Sequence, residues 1–190
     1  MEPSAFSKLL KANGLVMLSS HYRLGEEQTK GEIVKGTILH DWDRAVDDAA
    51  TVGLKYMVCA FLSPDERGTL EHYKQVADQL NIAGERCKKS GIQLCYHNHN
   101  FEFQYSLNSK QIYDIILEKT DPNLVLQQID IGNMYGAGGR ALDILAKHPG
   151  RFQSMHVKDE IKSAKGGEMN DDYDSTILGK GILPVKEIVD

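Results

Sequence analysis

The chain has 190 residues, 41% hydrophobic and 26% charged, proportions that support one globular domain with a real core. A net charge of -5, with Lys and Arg scattered among acids rather than gathered in a stripe, excludes nucleic acid as an expected partner. No apolar run approaches the roughly 18 residues of a membrane span, and MEPSAFSKLL lacks the basic start and long apolar stretch of a signal peptide. The chain therefore reads as soluble, without a membrane partner, and cytoplasmic, or periplasmic if a leader precedes it.

In chain order, a helical pattern over Ser4–Lys11 leads into a short apolar strand, Gly14–Ser20 (GLVMLSS). Asp41–Thr51 then precedes a strand at Leu54–Leu62 (LKYMVCAFL), and Thr69–Ser90 precedes Gly91–His97 (GIQLCYH). Ser109–Lys119 precedes Asn123–Ile131 (NLVLQQIDI), and Gly139–Lys147 precedes Phe152–Lys158 (FQSMHVK). Several of these helices stop at Gly or Pro just before the strand. Single helices alternating with short buried strands predict a parallel sheet covered by helices, either doubly wound or a (β/α)8 barrel. There is no GxGxxG. Gly136–Gly139 (GAGG) lacks the Lys-Ser/Thr of a P-loop and reads as a flexible loop rather than a phosphate cradle.

The loops Ser20–Thr37, Asn98–Asn108 and Glu160–Leu178 are long and polar, and in a barrel such loops build the mouth of the active site. His40, His72 and His148 fall on or beside helices and are expected to face solvent; Trp42 is expected to pack its helix onto the sheet. Cys59, Cys87 and Cys95 show neither CxxC nor zinc-finger spacing and read as buried free thiols.

Side chains alternate faces along a strand, which sorts the polar residues. Gln93, Cys95, His97 and His99 share one parity, Leu126, Gln128 and Asp130 another such series, and Phe152, Ser154, His156 and Lys158 a third. Each series places its ionisable groups last, at the carboxyl end, where parallel-strand enzymes bind ligands. His97, Asp130 and His156 are separated by 33 and 26 residues, about one β/α unit each. Two imidazoles and a carboxylate at successive strand ends are suited to hold Mn²⁺, Zn²⁺, Fe²⁺ or Co²⁺. The competing reading is that one or more of them hydrogen-bonds within the core.

SSHY (Ser19–Tyr22), YHNHNFEF (Tyr96–Phe103), QIDIGN around Asp130, HVKD (His156–Asp159) and LGKGILPVKEI (Leu178–Ile188) together resemble the sugar phosphate isomerase/epimerase family. That family belongs to the xylose isomerase-like TIM barrel superfamily, with its AP endonuclease-type and inosose dehydratase-type relatives. The resemblance covers nearly the whole chain and implies a (β/α)8 barrel represented by its third to seventh strands, without the first two or the last. The chain is then either a piece of a longer protein or a shortened relative that completes its sheet as a homo-oligomer, since an open parallel sheet exposes two edges. The family's metal ligands are Glu, Asp, His and Glu on the fifth to eighth strands. Asp130 and His156 match the middle two; His97 or a near neighbour stands where the first Glu is expected, and the last ligand would lie beyond Asp190.

The resemblance implies a small carbohydrate substrate and proton transfer through an enediolate, with a divalent metal stabilising the developing oxyanion. Glu102, flanked by Phe101 and Phe103, is then the candidate base, its pKa raised by desolvation; His97 or His99 would serve instead. Glu102 is alternatively the replacement for the missing first ligand. Lys158 is expected either to bind a substrate oxygen or phosphate or to pair with Asp159 or Glu160. His21 closes its strand and lines the mouth, and Asn133 stands where related epimerases place a substrate-binding His. The competing functions are a keto-sugar or keto-glycoside lyase or dehydratase using the same enolate chemistry, and a non-catalytic carbohydrate-binding remnant.

Overall fold

The computed structural model describes residues 1–25, 28–29, 32–167 and 172–190, so parts of the predicted loops Ser20–Thr37 and Glu160–Leu178 lie outside the described residues. Five parallel strands, β1 (Ser19–Arg23), β2 (Tyr56–Phe61), β3 (Gln93–His97), β4 (Val125–Asp130) and β5 (Phe152–His156), are hydrogen-bonded in chain order. Helix α1 (Pro3–Ala12) precedes β1, α2 (Trp42–Val52) precedes β2 and α3 (Leu70–Lys89) precedes β3. Between β3 and β4 lie α4 (Phe101–Gln104) and α5 (Ile112–Lys119); between β4 and β5 lie α6 (Ile131–Gly136) and α7 (Ala141–Lys147). An antiparallel pair, β6 (Asp159–Lys162) and β7 (Tyr173–Thr176), and the short α8 (Val185–Val189) follow.

The β/α alternation thus holds, and helix ends are set by local chemistry. The Thr69 side chain accepts from the His72 N–H to start α3, and Gly53, at φ 95°, ends α2 in the left-handed conformation that a Cβ disfavours. One strand falls elsewhere than its apolar run predicts. Of Gly14–Ser20, only Ser19 and Ser20 pair, and β1 continues to Arg23. Gly14, at φ 65°, forms the turn that ends α1, Leu15 N–H bonds back to the Leu10 carbonyl, and Leu15, Val16 and Leu18 are exposed. The hydrophobic run is therefore helix exit, not core, and His21 sits within β1 rather than closing it.

Two compact units divide the chain. The first comprises Met1–Tyr96 and Ile116–Leu126. Its core is the apolar side of α2 and α3 (Val46, Ala49, Val76, Leu80) with Met57, Val58 and Leu94 of the strands, all buried. Trp42 is buried as expected; its Nε1 donates to the Ala83 carbonyl at 3.3 Å and its ring meets Tyr22 edge-on at 5.3 Å. Cys59, Cys87 and Cys95 are buried free thiols, and burial pushes Cys87 up to about 12.

The second unit comprises His97–Ile115 and Gln127–Asp190. Ile129, Ile131 and Met134 form its interior with Phe103, whose ring lies 4.7 Å from that of Tyr113. The predicted solvent-facing histidines, His148 here and His40 and His72 in the first unit, are instead half-buried, and two of them have a ring nitrogen beside an acceptor. His148 Nε2 lies 3.0 Å from Asp114 Oδ1, and His72 Nδ1 lies 2.9 Å from the Arg67 carbonyl; His40 is half-buried too. Burial works to raise the Asp114 carboxyl, but Lys147 and His148 outweigh it and hold the group below its usual range.

Candidate metal centre

The second unit carries the candidate site. Strands β4 and β5 are parallel and in register, Asp130 opposite His156, so the two side chains leave neighbouring strand ends side by side. Asp130 ends its strand and caps α6, its Oδ1 accepting the Asn133 N–H at 2.8 Å. His97, the last residue of β3, completes a group in which one nitrogen or oxygen of His97, Asp130 and His156 all lie within 4.8 Å of one another. This convergence is the one that strand parity predicts.

Asp130 Oδ2 is the focus. It is inaccessible to solvent, and three nitrogens surround it. His156 Nδ1 lies at 2.9 Å, Lys158 Nζ at 3.2 Å and His97 Nε2 at 3.7 Å. Burial works to raise this carboxyl; the His156 imidazole, the Lys158 ammonium, the Asn133 N–H and His97 outweigh it and hold Asp130 below the usual carboxylate range. A buried, ionised oxygen with two imidazole nitrogens close by is a setting a divalent cation fits. The N, O, N donor set suits Zn²⁺, Mn²⁺, Fe²⁺ or Co²⁺ better than Ca²⁺ or Mg²⁺.

The surrounding amides orient these groups, and sequence reasoning missed them. Asn98, fully buried, takes a hydrogen bond from the Asp130 N–H at 2.8 Å and donates to the Asp130 carbonyl at 3.0 Å, clamping the strand end through both backbone groups. Gln128 Oε1 lies 3.0 Å from His97 Nδ1. Strand parity puts Gln128 on the same face as Asp130, which is the signal for it in the sequence.

Lys158 turns to Asp130 and donates to Asn133 Oδ1 at 2.9 Å. Its salt bridge with Asp159 is not formed, because that carboxylate is taken by four backbone N–H groups, of Glu160, Gly179, Gly181 and Leu183. Asn133 is buried beneath Lys158. Glu102 is completely buried and its Oε2 accepts the His99 N–H at 2.9 Å; it is outside the His97, Asp130, His156 group. His99, half-buried beyond the end of β3, meets the His97 ring edge-on at 5.1 Å and stacks on Phe101 at 6.2 Å. His21 belongs to the first unit, exposed on β1 opposite Val58.

Gly132 also escapes sequence reasoning. A Cβ there would collide with Glu160 Oε1 and the stem of Lys158, so the absence of a side chain lets the Lys158 stem cross the start of α6. In an ordinary helix Gly→Ala stabilises by about 1 kcal/mol. Gly132→Ala is expected instead to destabilise by ~1–3 kcal/mol through overpacking and to pull the ammonium away from Asp130. Denaturant unfolding together with metal affinity checks both effects.

Among the described residues, no helix is long and apolar enough to cross a membrane. In sequence the chain is similar to an inosose dehydratase of Clostridium perfringens, 32% identical over 117 residues, which are 60% of this chain and 38% of that protein. In structure it is similar to a sugar phosphate isomerase/epimerase from Parabacteroides distasonis, with 27% identity, a TM-score of 0.70, and coverage of 90% of this chain and 61% of the other. It shares its fold, at 16% identity and a TM-score of 0.70, with the IOLI protein solved with a zinc atom, covering 99% of this chain and 69% of that one. The chain thus spans about two fifths of the curated relative's length. The xylose isomerase-like TIM barrel family model matches residues 2–190. With the parallel β/α frame, this match makes the chain a member of the xylose isomerase-like TIM barrel family.

Proposed function

We propose that the protein acts on a small polyhydroxy carbonyl compound, a sugar or sugar phosphate, and isomerises or epimerises it by moving a proton next to the carbonyl. The convergence of His97, Asp130 and His156, with Lys158 against the same Asp130 oxygen, carries this reading. Abstracting that proton puts negative charge on the carbonyl oxygen, so the site must meet charge that develops only during reaction. A divalent cation held by His97 Nε2, Asp130 Oδ2 and His156 Nδ1 would supply Lewis acidity for that oxygen. Lys158 adds a fixed ammonium donor, held in place by Asp130 and Asn133.

The proton is assigned to His99. It is partly exposed beside the ligand cluster, whereas the Glu102 carboxylate is shielded from solvent and engaged by the His99 backbone. Glu102 then acts by fixing the turn that presents His99, while His97 serves as a ligand. Dehydration is the second reading, favoured by the relatives named inosose dehydratase, because the same enolate expels a β-hydroxyl when one is present. Incubating metal-loaded protein with ketose and inosose substrates in deuterated water separates the two. Deuterium incorporation without loss of water supports isomerisation, loss of water supports dehydration, and neither exchange nor turnover overturns the enolate proposal.

A further inference from the structure

We infer that Gln128 is a positioning residue that holds His97 in the tautomer protonated at Nδ1, making Nε2 the donor atom for the cation; this rests on the metal reading above. Gln128 is on the same strand face as Asp130, buried, and its Oε1 lies 3.0 Å from His97 Nδ1. An amide oxygen only accepts, so the proton at that contact belongs to the ring. The lone pair of a neutral imidazole then resides on Nε2, the nitrogen that faces Asp130 Oδ2 at 3.7 Å. Without this acceptor the ring would gain by placing its proton on Nε2, toward the carboxylate. That tautomer presents N–H, not a lone pair, to the cation position.

The two imidazole donors are set differently. His156 offers Nδ1 directly to Asp130, and its side chain is 46% exposed. His97 is buried, so its ring orientation is decided by protein contacts rather than by water. The residue that makes His97 a ligand is therefore on β4, two positions before Asp130, the carboxylate that would hold the cation together with His97. A hydrogen bond to the remote nitrogen of a ligating histidine typically changes metal affinity by about 10–100-fold.

Gln128→Leu, which removes the acceptor and keeps the bulk, is expected to weaken Zn²⁺ binding by about 10–100-fold in competition with a chromophoric chelator. Gln128→Glu, which accepts the same proton, is expected to restore it. In the metal-free wild-type protein, ¹⁵N-detected imidazole spectra are expected to show His97 protonated at Nδ1, and Gln128→Leu to lose that tautomer. Thermal unfolding of both variants verifies that they are folded. Wild-type affinity in folded Gln128→Leu, or an Nε2-protonated His97 in the wild type, overturns the inference. Absence of any Zn²⁺ binding by the wild type overturns the metal reading instead, while the metal-free spectra still decide what Gln128 does to the ring.

Discussion

Asp130→Asn is expected to lower kcat/KM by about 10³-fold and to abolish stoichiometric metal in the purified protein. Asn keeps the size of the side chain and one acceptor for the Asn133 N–H that caps α6. What it removes is the charge at the point where His156 Nδ1, Lys158 Nζ and His97 Nε2 converge. An amide also has a donor end, which would face the Lys158 ammonium or an imidazole nitrogen. Elemental analysis and steady-state kinetics on the same preparation check the expectation, with thermal unfolding to show that the variant is folded. A variant that keeps its metal and turns over at the wild-type rate would remove Asp130 from the chemistry and leave it a helix cap. His156→Ala, at the exposed side of the cluster, is expected to lose metal with little change in stability, since its side chain is half exposed.

The second large effect concerns stability. Asp159→Ala is expected to destabilise the second unit by ~2–4 kcal/mol. The Asp159 carboxylate accepts from Glu160, Gly179, Gly181 and Leu183 at 2.8–3.1 Å and so ties the start of β6 to the segment before α8. The Glu160 and Leu183 bonds are buried, so their donors would lose a partner without gaining water. Gly181 belongs to the same device: a Cβ there would strike the carboxylate.

Burial works to raise the Asp159 carboxyl, and the four N–H groups outweigh it, leaving the group below its usual range in the folded state. A carboxyl whose pKa is lower folded than unfolded contributes stability in full above the unfolded value, about 3.9 for Asp. That contribution fades as pH falls through the lower folded value. Wild-type stability is therefore expected to drop on the acid side of about pH 4, and Asp159→Ala to lose this part of the slope. Urea titrations across that range check it; parallel acid profiles for wild type and variant would show that the four bonds contribute no pH-dependent stability.

Much of the frame was legible because its causes are local. Alternating helical and short apolar segments identify β/α units, and four of the five predicted strands contain the observed ones. The first shifted because Gly14 closes α1 and leaves Leu15, Val16 and Leu18 exposed, an outcome that depends on which apolar residues find a partner. The trio His97, Asp130 and His156 was legible because strand parity and one-unit spacing are periodic properties of the chain. The role of Lys158 was open, since an ammonium two residues after His156 has acids nearby in sequence and another across the strands.

By itself, then, the sequence determined the parallel β/α frame, the absence of a basic binding stripe and the three side chains that meet at the strand ends. Tertiary structure alone decided how they are held: Asn98 clamping Asp130, Gln128 on His97, Gly132 admitting Lys158, and Asp159 sequestered by four backbone donors. It also turned Glu102 to the His99 backbone, outside the trio. The physical reason is range. Periodicity and capping act within a turn or a strand, whereas the direction of a buried polar side chain is chosen by acceptors and donors that only folding brings within about 3 Å of it.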